Sequence, residues 1–563
     1  MEKNQELVSL TIDGVKIQVP KGTNLIEAAK IAGVDVPYYC YHPDLSIAGN
    51  CRMCQVQVEG QPKLTIGCNT GAAEGMVVRT QKSSPAVAEA QRATLEFLLI
   101  NHPLDCTVCD QAGHCKLQDY YYQYNTQASR FVDDKVHKVK AESLGPEIVY
   151  DGERCIVCTR CVRFCDEITE TSELGVFNRG DNSVIGIHGD KELDNPLSGT
   201  VVDLCPVGAL THKRWRFNTR IWYTSQHDSI CPGCSTGCNV KVAVRDDKIV
   251  HVKARQNAEV NKEWLCDEGR YGFDRFQPAE RITSPMIRTG DDWGAIRWDQ
   301  LRPAVSMLRG TAADTVVLIS PFLTVEETWA SAQFIERVLK LKPSEVAAVQ
   351  ISRRELSAVE QVLISPDYAP NARGAELVGL GTYGAASWRE EREKNYRRVL
   401  ETIRSGRAKR IMLIGDMAVA PGDLDKVLQQ RLHDAEVSLA ITPRGISEAG
   451  AQQFCTVVLP GRTVNEKSGL FVNRDLRIQR IAGVLTAPFG AISDWMVLSR
   501  LAQLESVNLF PESIVDERSL SRHILKTIGK LQGLTLTSIG VNGVALEGRT
   551  EAAAAGESAG AIA

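Results

Sequence analysis

The residues best suited to chemistry are cysteines, which form four groups in the first half of the chain. Sixteen of the 17 cysteines lie between Cys40 and Cys266, and only Cys455 lies beyond them. Within a group, most neighbours are separated by two or three residues. In a chain of this size that we expect to be cytosolic, such spacing is typical of metal ligands rather than disulfides. Cys455 precedes an apolar run, so we expect it to be a buried small hydrophobic residue.

The first group, set I, consists of Cys40, Cys51, Cys54 and Cys68 in the spacing C-x10-C-x2-C-x13-C. Four thiolates spread over one long loop of a small β-rich domain favour a [2Fe–2S] cluster. Zinc is the alternative, although a zinc ribbon more often has two C-x2-C pairs held apart by a hairpin.

The second group, set II, has three cysteines and a histidine: His102, Cys106, Cys109 and Cys115. A helix that we predict to begin at Ser84-Pro85 leads the chain directly to this histidine. A [4Fe–4S] cluster needs four ligands, and no further cysteine lies nearby. We therefore predict that His102 is the fourth ligand, the alternative being a structural or exposed histidine.

The third group contains the run Cys155, Cys158, Cys161 and Cys165, followed at a distance by Cys205 and a proline. The spacing C-x2-C-x2-C-x3-C with a remote Cys-Pro is a ferredoxin signature, in which the fourth cysteine of a run ligates the neighbouring cluster. This chain has only one such triplet. We therefore assign a [4Fe–4S] cluster to Cys155, Cys158, Cys161 and Cys205, called set III, and leave Cys165 without a metal.

The fourth group, set IV, consists of Cys231, Cys234, Cys238 and Cys266 in the spacing C-x2-C-x3-C-x27-C. A predicted hairpin with its turn at Asp246-Asp247 lies inside this span. We predict a third [4Fe–4S] cluster at set IV. Fifteen cysteines and one histidine then supply sixteen ligands, the number that four clusters require. This agreement in number is stronger evidence for the assignment than any single motif.

The elements that must position these sets follow from hydrophobic periodicity. Residues 7–20 alternate around a central Asp-Gly and predict a β-hairpin, and Asn24 caps a short predicted helix. In the second half, apolar runs alternate with helical segments and predict an α/β region with a largely parallel sheet. These runs cover residues 315–320, 346–352, 410–416, 437–442 and 455–460.

Charge and glycine patterns exclude several other functions. The net charge of −4 does not suggest a nucleic-acid partner. The sequence contains no run of about 18 apolar residues, so we do not expect it to insert into a membrane. The segment "GLGTYG" at residues 379–384 fits the dinucleotide-binding pattern G-x-G-x-x-G. It lacks a clear preceding strand and a correctly spaced acidic residue, so we interpret it as a glycine-rich loop.

The order of the four sets, the H-x3-C-x2-C-x5-C element and the segment "CPVGALT" resemble the large iron–sulfur subunit of bacterial respiratory complex I. This is a subunit of the proton-pumping NADH:quinone oxidoreductase, and the resemblance covers residues 5–280. It implies one [2Fe–2S] cluster at set I and [4Fe–4S] clusters at sets II, III and IV, with His102 as a ligand.

The resemblance also implies a function, namely electron transfer in the peripheral arm of that enzyme. The expected partners are a flavin-bearing NADH-oxidising subunit and the other hydrophilic and membrane subunits. We expect a chain that is not catalytic alone and that lies peripherally on the cytoplasmic side of the inner (plasma) membrane, without direct insertion. The alternative is a diaphorase-type iron–sulfur subunit of a hydrogenase or formate dehydrogenase complex, and a zinc-binding scaffold is a third possibility.

The segments around residues 266–288 and 456–479 resemble the molybdopterin oxidoreductases. In this 563-residue chain only 297 residues follow Cys266, which is short for domains that enclose two pterins. No cysteine lies between Cys266 and Cys455 to bind molybdenum. We therefore expect a vestigial domain without molybdopterin, the alternative being a catalytic molybdenum or tungsten enzyme.

The expected fold class is multidomain, α+β followed by α/β. We predict a β-grasp [2Fe–2S] ferredoxin-like domain (1–82), a His/Cys cluster domain (83–122), a bacterial-ferredoxin-like domain (145–222), a molybdopterin-oxidoreductase-type [4Fe–4S] domain (224–280), a truncated molybdopterin-oxidoreductase-like α/β domain (281–535) and a flexible tail (536–563).

Overall fold

A computed structural model of the chain describes residues 6–125, 127–189, 191–371, 373–381, 387–416 and 426–546. The chain divides into two compact units, Met1–Thr224 and Ser225–Ala563. Residues 382–384 of the glycine-rich pattern lie outside the described residues. None of the helices in the described part of the chain has the length and apolar character needed to span a bilayer.

The first unit contains ten strands and five α-helices in its described residues. They are β1 (Leu7–Ile12), β2 (Val15–Pro20), α1 (Leu25–Ile31), β3 (Gln55–Val58), β4 (Thr65–Ile66), β5 (Val77–Arg79), α2 (Pro85–Leu99), α3 (Lys116–Tyr124), β6 (Glu142–Ser143), β7 (Ile148–Tyr150), α4 (Arg160–Glu167), β8 (Leu174–Phe177), β9 (Val184–Ile187), α5 (Thr200–Leu204) and β10 (Leu210–His212).

The first unit begins with a five-stranded sheet in the order β2-β1-β5-β3-β4, in which β1 and β5 are parallel. The predicted hairpin is confirmed: β1 and β2 pair antiparallel, and Asp13 at the turn has a φ of 47°. The Asn24 side chain caps α1 by accepting hydrogen bonds at 3.1 Å from the amides of Ile26 and Glu27. Buried Leu25 and Ile26 pack this helix on the sheet, as expected for a β-grasp.

The rest of the first unit is built from short elements. The predicted helix after Ser84 is confirmed as α2, whose first turn is capped by the Ser84 hydroxyl. Strands β10-β7-β6 form one small sheet and β8-β9 a hairpin, while α4 and α5 lie between them in the sequence. These short elements carry sets II and III on the loops that join them, except for Cys161, which lies in the first turn of α4.

The second unit contains thirteen strands and eleven α-helices in its described residues. They are β11 (Ser225–Ile230), β12 (Asn239–Arg245), β13 (Lys248–Ala254), α6 (Asp267–Tyr271), β14 (Met286–Thr289), β15 (Asp292–Ala295), α7 (Arg302–Met307), β16 (Thr315–Ile319), α8 (Val325–Phe334), α9 (Pro343–Val346), β17 (Ala347–Val349), α10 (Ala358–Gln361), α11 (Gly374–Leu377), α12 (Trp388–Arg404), β18 (Arg410–Ile414), α13 (Lys426–Asp434), β19 (Val437–Thr442), β20 (Val457–Pro460), β21 (Gly469–Val472), β22 (Arg477–Ile481), α14 (Asp494–Leu504), α15 (Glu517–Thr527), α16 (Leu536–Ile539) and β23 (Val544–Ala545).

The second unit opens with the antiparallel sheet β11-β12-β13, which supports set IV. The predicted hairpin within set IV is confirmed as β12 and β13. Asp246 and Asp247 at its turn have φ values of 50° and 57°. Two consecutive left-handed residues match the twist that a tight two-residue hairpin requires.

A seven-stranded sheet in the order β15-β14-β20-β19-β18-β16-β17 forms the centre of the second unit. The five strands from β20 to β17 are parallel, and β14 and β15 form an antiparallel edge, which confirms the predicted α/β architecture. Val317 and Met412 face the helices α8, α14 and α15, whereas Val316 and Ile411 face α12 and α13. Strands buried on both faces explain why the apolar runs show no polar alternation.

Cys455 lies in the second of these apolar layers and is fully buried. Burial raises the pKa of its thiol to about 12, so that the group stays neutral. The prediction that Cys455 is a buried small hydrophobic residue is confirmed.

The predicted flexible tail is wrong for residues 536–546. This segment forms α16 and β23, and β23 pairs antiparallel with β22. Buried Ile539 and Leu546 join the core of the second unit, and this apolar anchoring was missed because the low-complexity sequence begins only later. Residues 547–563 of the predicted tail lie outside the described residues.

Glu326 on α8 is a carboxyl group buried in this core. Its oxygens accept hydrogen bonds from the Leu470 amide at 2.9 Å and from the Ser521 hydroxyl at 2.5 Å. Burial raises the pKa of Glu326 to about 7, because the charged form loses more solvation than these donors restore. The folded state therefore favours the protonated acid.

We predict that Glu326→Gln changes how the stability of the second unit depends on pH. A raised acid pKa makes the wild-type free energy of unfolding fall as pH rises from about 4.5 to 7. The amide does not ionise, so relative to wild type the variant should gain stability over this window, by roughly 3 kcal/mol at most. Urea unfolding of the full chain at pH 5.5, 6.5 and 8, followed by tryptophan fluorescence, measures the difference.

Glu336→Gln is the matched control, since Glu336 is exposed on the helical turn that continues α8. It should show no such pH-dependent difference. If the difference in the free energy of unfolding between Glu326→Gln and wild type stays constant between pH 5.5 and 8, this carboxyl titrates normally.

Candidate metal centres

Set I is assembled by the long loop between α1 and β3 and by the turn after β4. Cys40, Cys51 and Cys54 lie on the loop, and Cys68 lies in a 3₁₀ turn. All are buried except Cys51, which is half-buried. The Gly67 amide donates to the Cys54 carbonyl at 2.7 Å, and the Cys40 amide contacts the Cys51 sulfur at 3.4 Å. The structure therefore brings the four predicted residues together.

The thiols of set I contact one another in two pairs. The hydrogen bond from the Cys51 thiol lowers the pKa of Cys40 to about 5, and the same bond raises the pKa of Cys51. In the second pair, the hydrogen bond with Cys54 lowers the pKa of Cys68 and raises that of its partner. In each pair one thiol stabilises the thiolate of the other, which suits thiolate ligation of two adjacent irons.

Set III surrounds a small cavity that is lined by all four of its cysteines and by apolar side chains such as Ile185 and Leu210. Val157 and Thr159 have φ values of 51° and 62°, and these two left-handed turns wind the run of cysteines around the cavity. The Val157 amide donates to the Cys155 sulfur at 3.3 Å. Left-handed β-branched residues are uncommon outside functional loops.

Cys165 and Cys205 occupy different surroundings. Cys205 lines the cavity, and burial together with the neighbouring Cys158 thiol raises its pKa to about 12. Cys165 lies one turn beyond Cys161, outside the lining of the cavity, where burial and then Glu173 raise its pKa. This placement favours Cys205 as the fourth member of set III, and the ligand assignment stays a prediction.

His102 follows the end of α2, where the Lys135 ammonium caps the last carbonyls at 3.0 and 2.6 Å. Burial lowers the pKa of His102 to about 4, and the nearby Lys135 and Arg154 charges act in the same direction. The imidazole is therefore neutral, as a metal ligand must be. Its buried Nδ1 has no hydrogen-bond partner among the described residues, a costly state that a metal ion would relieve.

Set II shares one cavity of about 870 Å³, which His102, Cys106, Cys109 and Cys115 line together. Gly208 closes one side of it, and a Cβ added at this position would lie 2.2 Å from the Cys109 sulfur. Any larger residue would displace that sulfur. The glycine in "CPVGALT" is thus a site residue that spacing alone did not identify.

Set IV is buried throughout, at the base of the β11-β12-β13 sheet. The Cys231 amide donates to the Cys238 carbonyl at 2.8 Å, and amides of Gly233 and Gly269 donate to sulfurs at 3.4 and 3.2 Å. A Cβ at Gly269 would lie 3.0 Å from the Cys231 sulfur and 3.2 Å from that of Cys266. Burial raises the pKa of Cys231 to about 12, so ligation must displace its proton.

The donor chemistry of the four sets fits iron–sulfur clusters. Their cysteines are grouped and mostly buried, and backbone amides point at several of the sulfurs, as they do in iron–sulfur sites. Within the described ranges, no three His, Cys, Asp or Glu side chains converge on a point that could hold one metal ion. Each ligand of a [4Fe–4S] cluster binds a different iron, so such a site does not need that convergence.

Set III lies beside both of the other sets in the first unit. The Arg163 guanidinium, on α4, donates to the Cys40 carbonyl at 2.6 Å and to the Cys158 carbonyl at 3.4 Å. On the other side, the Pro206 carbonyl, next to Cys205, lies 3.9 Å from the Cys115 sulfur. Arg163 therefore bridges set I and set III, and the Pro206 carbonyl joins set III to set II.

Models of known protein families match the chain in the same order. They are the 2Fe-2S iron-sulfur cluster binding domain (residues 5–83), the NADH-ubiquinone oxidoreductase-G iron-sulfur binding region (91–130), the NADH-quinone oxidoreductase subunit 3 ferredoxin-like domain (145–211), the molybdopterin oxidoreductase Fe4S4 domain (224–277) and molybdopterin oxidoreductase (376–504). The first four of these matches contain sets I, II, III and IV.

Curated relatives carry corresponding names. The G subunit of the NADH-quinone oxidoreductase of Streptomyces coelicolor is 39% identical over 332 residues, which are 59% of this chain and 39% of the relative. Its namesake from Mycobacterium tuberculosis is 40% identical over 334 residues, 58% of this chain and 41% of the relative. The mitochondrial NADH-ubiquinone oxidoreductase 78 kDa subunit of Neurospora crassa is 44% identical over 295 residues, 52% of this chain and 39% of the relative.

A solved chain titled "Crystal structure of NAD+-reducing [NiFe]-hydrogenase in the H2-reduced state" is 30% identical, with 38% of this chain and 91% of that chain covered at a TM-score of 0.34. The present chain spans less than half the length of the curated relatives described above. The relatives and the family models agree on the iron–sulfur part of the chain, which is similar to the G subunit of NADH-quinone oxidoreductase.

Proposed function

We propose that this chain is an electron-transfer subunit in the peripheral arm of an NADH:quinone oxidoreductase. The observation that carries the proposal is the contact of set III with set I on one side and with set II on the other. A row of adjoining metal sites suits a relay. The order that we propose for the relay is set I, set III and then set II.

The proposed cofactors are one [2Fe–2S] cluster at set I and one [4Fe–4S] cluster at each of sets II, III and IV. When bound, each cluster supplies a site that accepts and releases one electron. Sixteen residues would hold them: Cys40, Cys51, Cys54, Cys68, His102, Cys106, Cys109, Cys115, Cys155, Cys158, Cys161, Cys205, Cys231, Cys234, Cys238 and Cys266.

The chain itself would set the properties of each site through charge, hydrogen bonds and burial. The neutral His102 gives set II one negative charge fewer than four thiolates would, which favours the reduced state there. The amides of Val157, Gly233 and Gly269 donate to sulfurs and stabilise negative charge on them. Set II would therefore lie at the more oxidising end of the relay.

The proposed partners are a flavin-bearing NADH-oxidising subunit and the other hydrophilic and membrane subunits of the complex. The relay would receive electrons at set I and deliver them toward quinone from set II. The proposed location is peripheral, on the cytoplasmic side of the inner (plasma) membrane. The domain division given above is part of this proposal, except that residues 536–546 belong to the α/β domain and not to a tail.

We further propose that the α/β part of the second unit is vestigial and holds no molybdopterin. Support comes from Cys455, the one cysteine after Cys266 in the sequence, which is packed in an apolar layer. A thiol in such surroundings is not available to a molybdenum centre.

The proposed function predicts the metal content and the activity of the purified full chain. Metal analysis should give about 14 irons per chain, with no molybdenum or tungsten. The chain alone should not oxidise NADH with ferricyanide, and adding the flavin-bearing subunit should produce NADH-dependent bleaching of the visible spectrum. One molybdenum per chain would overturn the vestigial domain, and robust activity of the chain alone would overturn the relay.

Cys205→Ala and Cys165→Ala should differ sharply. We expect Cys205→Ala to lose the set III cluster or convert it to a three-iron form, because one of four ligands is removed. Cys165→Ala should leave the electron paramagnetic resonance spectrum unchanged. It should lower the free energy of unfolding by about 1 kcal/mol through lost packing. The reverse result, with loss of the cluster only in Cys165→Ala, would exchange the two assignments.

His102→Ala should lose or convert the cluster of set II, whereas His102→Cys should rebuild it at a lower midpoint potential, because a thiolate adds negative charge. Redox titration followed by electron paramagnetic resonance measures both effects. His114→Ala is the control, since His114 lies in the same segment and its ring bonds Gln111 at 3.2 Å. Unchanged signals from all clusters in His102→Ala would exclude histidine ligation.

A further inference from the structure

Helix α4 carries two arginines, Arg160 and Arg163, that lie one helical turn apart and reach the loop of set I. This helix also contains Cys161 of set III, and Cys158 lies just before it. The Arg160 side chain is buried, with 6% of its surface exposed. Two cations therefore lie between the ligands of two neighbouring centres.

Every nitrogen of the Arg163 guanidinium is engaged. One terminal nitrogen donates to the carbonyls of Cys40 and Cys158, which belong to different sets, at 2.6 and 3.4 Å. The other donates to the Ser46 carbonyl on the set I loop, and Nε contacts the Thr159 hydroxyl at 3.3 Å. Arg163 thus holds backbone groups of both sets with one rigid, planar group.

Arg160 joins the same two sets at a second place. Its terminal nitrogens donate to the carbonyl of Tyr41, which follows Cys40, and at 3.2 Å to that of Leu204, which precedes Cys205. A neutral contact adds to these, since the Asn50 amide donates to the Val157 carbonyl at 3.1 Å. The two loops of ligands are therefore tied together through backbone groups next to the ligands themselves.

Neither arginine forms an ion pair with a carboxylate in the described part of the chain. Arg160 is buried and Arg163 is half-buried. A buried cation without a counter-charge is unfavourable, so the presence of Arg160 needs a compensating negative charge. Four thiolates at set I and four at set III would supply that charge once metal is bound. The cations and the anionic sets thus compensate each other.

We propose that Arg160 and Arg163 are shared positioning residues of sets I and III, which fix the spacing of the two centres and raise the reduction potential of both. This inference rests on the proposed function. Transfer moves one electron from one centre to the other and breaks no bond. The arginines exchange neither a proton nor an electron, and their constant positive charge stabilises the electron at either centre. Arginine suits this role because it stays charged and offers five donors in a plane.

The test uses the full chain with its clusters loaded, in the variants Arg163→Gln and Arg160→Gln. Iron content is measured first, and midpoint potentials then follow from redox titration monitored by electron paramagnetic resonance. The set I signal is recognised by its persistence at higher temperature, and the set III signal by its loss in Cys205→Ala. We expect both potentials to fall together, while those of sets II and IV stay unchanged. Arg163→Lys keeps the positive charge, so its midpoint potentials should fall much less than those of Arg163→Gln.

Arg220→Gln is the matched control. Arg220 also donates to a ligand carbonyl, that of Cys109 at 2.5 Å, but its other terminal nitrogen donates to the Thr107 carbonyl, which lies between two cysteines of set II. Its removal should affect set II alone. The shared role of Arg160 and Arg163 is supported if Arg220→Gln shifts the midpoint potential of set II alone and Arg163→Gln shifts the potentials of sets I and III together.

Three results would contradict the inference with both clusters loaded: unchanged potentials in the two glutamine variants, a shift at set III alone, or a shift at set I alone. A glutamine variant could also fail to retain iron. Loss of the clusters of sets I and III together would then support the shared positioning role, and loss of the cluster of one set alone would contradict it. Absence of clusters from the unsubstituted chain would instead overturn the proposed function.

Discussion

The burial of grouped cysteine side chains is the constraint on which the rest of this structure depends. Most of the cysteines in the four sets are buried in groups, and burial raises the pKa of many of them. Such groups are stable as thiolates only if positive charge and hydrogen-bond donors surround them. Bound clusters would supply most of that charge, which would make cluster binding and folding of these loops interdependent.

The loops around the sets follow from the same constraint. Backbone amides must approach the sulfurs closely, which explains the left-handed residues Val157 and Thr159 and the absence of side chains at Gly208 and Gly269. Short strands and helices hold these loops at both ends. Arg160 and Arg163 then join two such loops, so that the geometry of one centre depends on that of the next.

Beyond set IV, the second unit is stabilised by a different interaction, namely the packing of apolar side chains. Its parallel sheet is covered by helices on both faces and is stabilised by apolar packing, in which Cys455 acts as one more small core residue. Glu326, a buried ionisable group of this unit, accepts hydrogen bonds from neighbouring donors. This unit therefore keeps the scaffold of an α/β domain, with set IV built on the separate sheet at its start.

The sequence by itself determined the ligand types, the four groups, the hairpins and the parallel α/β region, because spacing and hydrophobic periodicity are local properties. It did not reveal Gly208 beside Cys109, the arginines between sets I and III, or the anchoring of residues 536–546. Those features join residues far apart in the chain. The sequence predicted Cys205 rather than Cys165 as a member of set III from the ferredoxin spacing. Only the tertiary structure places Cys205 in the lining of the set III cavity, because the fold brings this remote residue beside Cys155, Cys158 and Cys161.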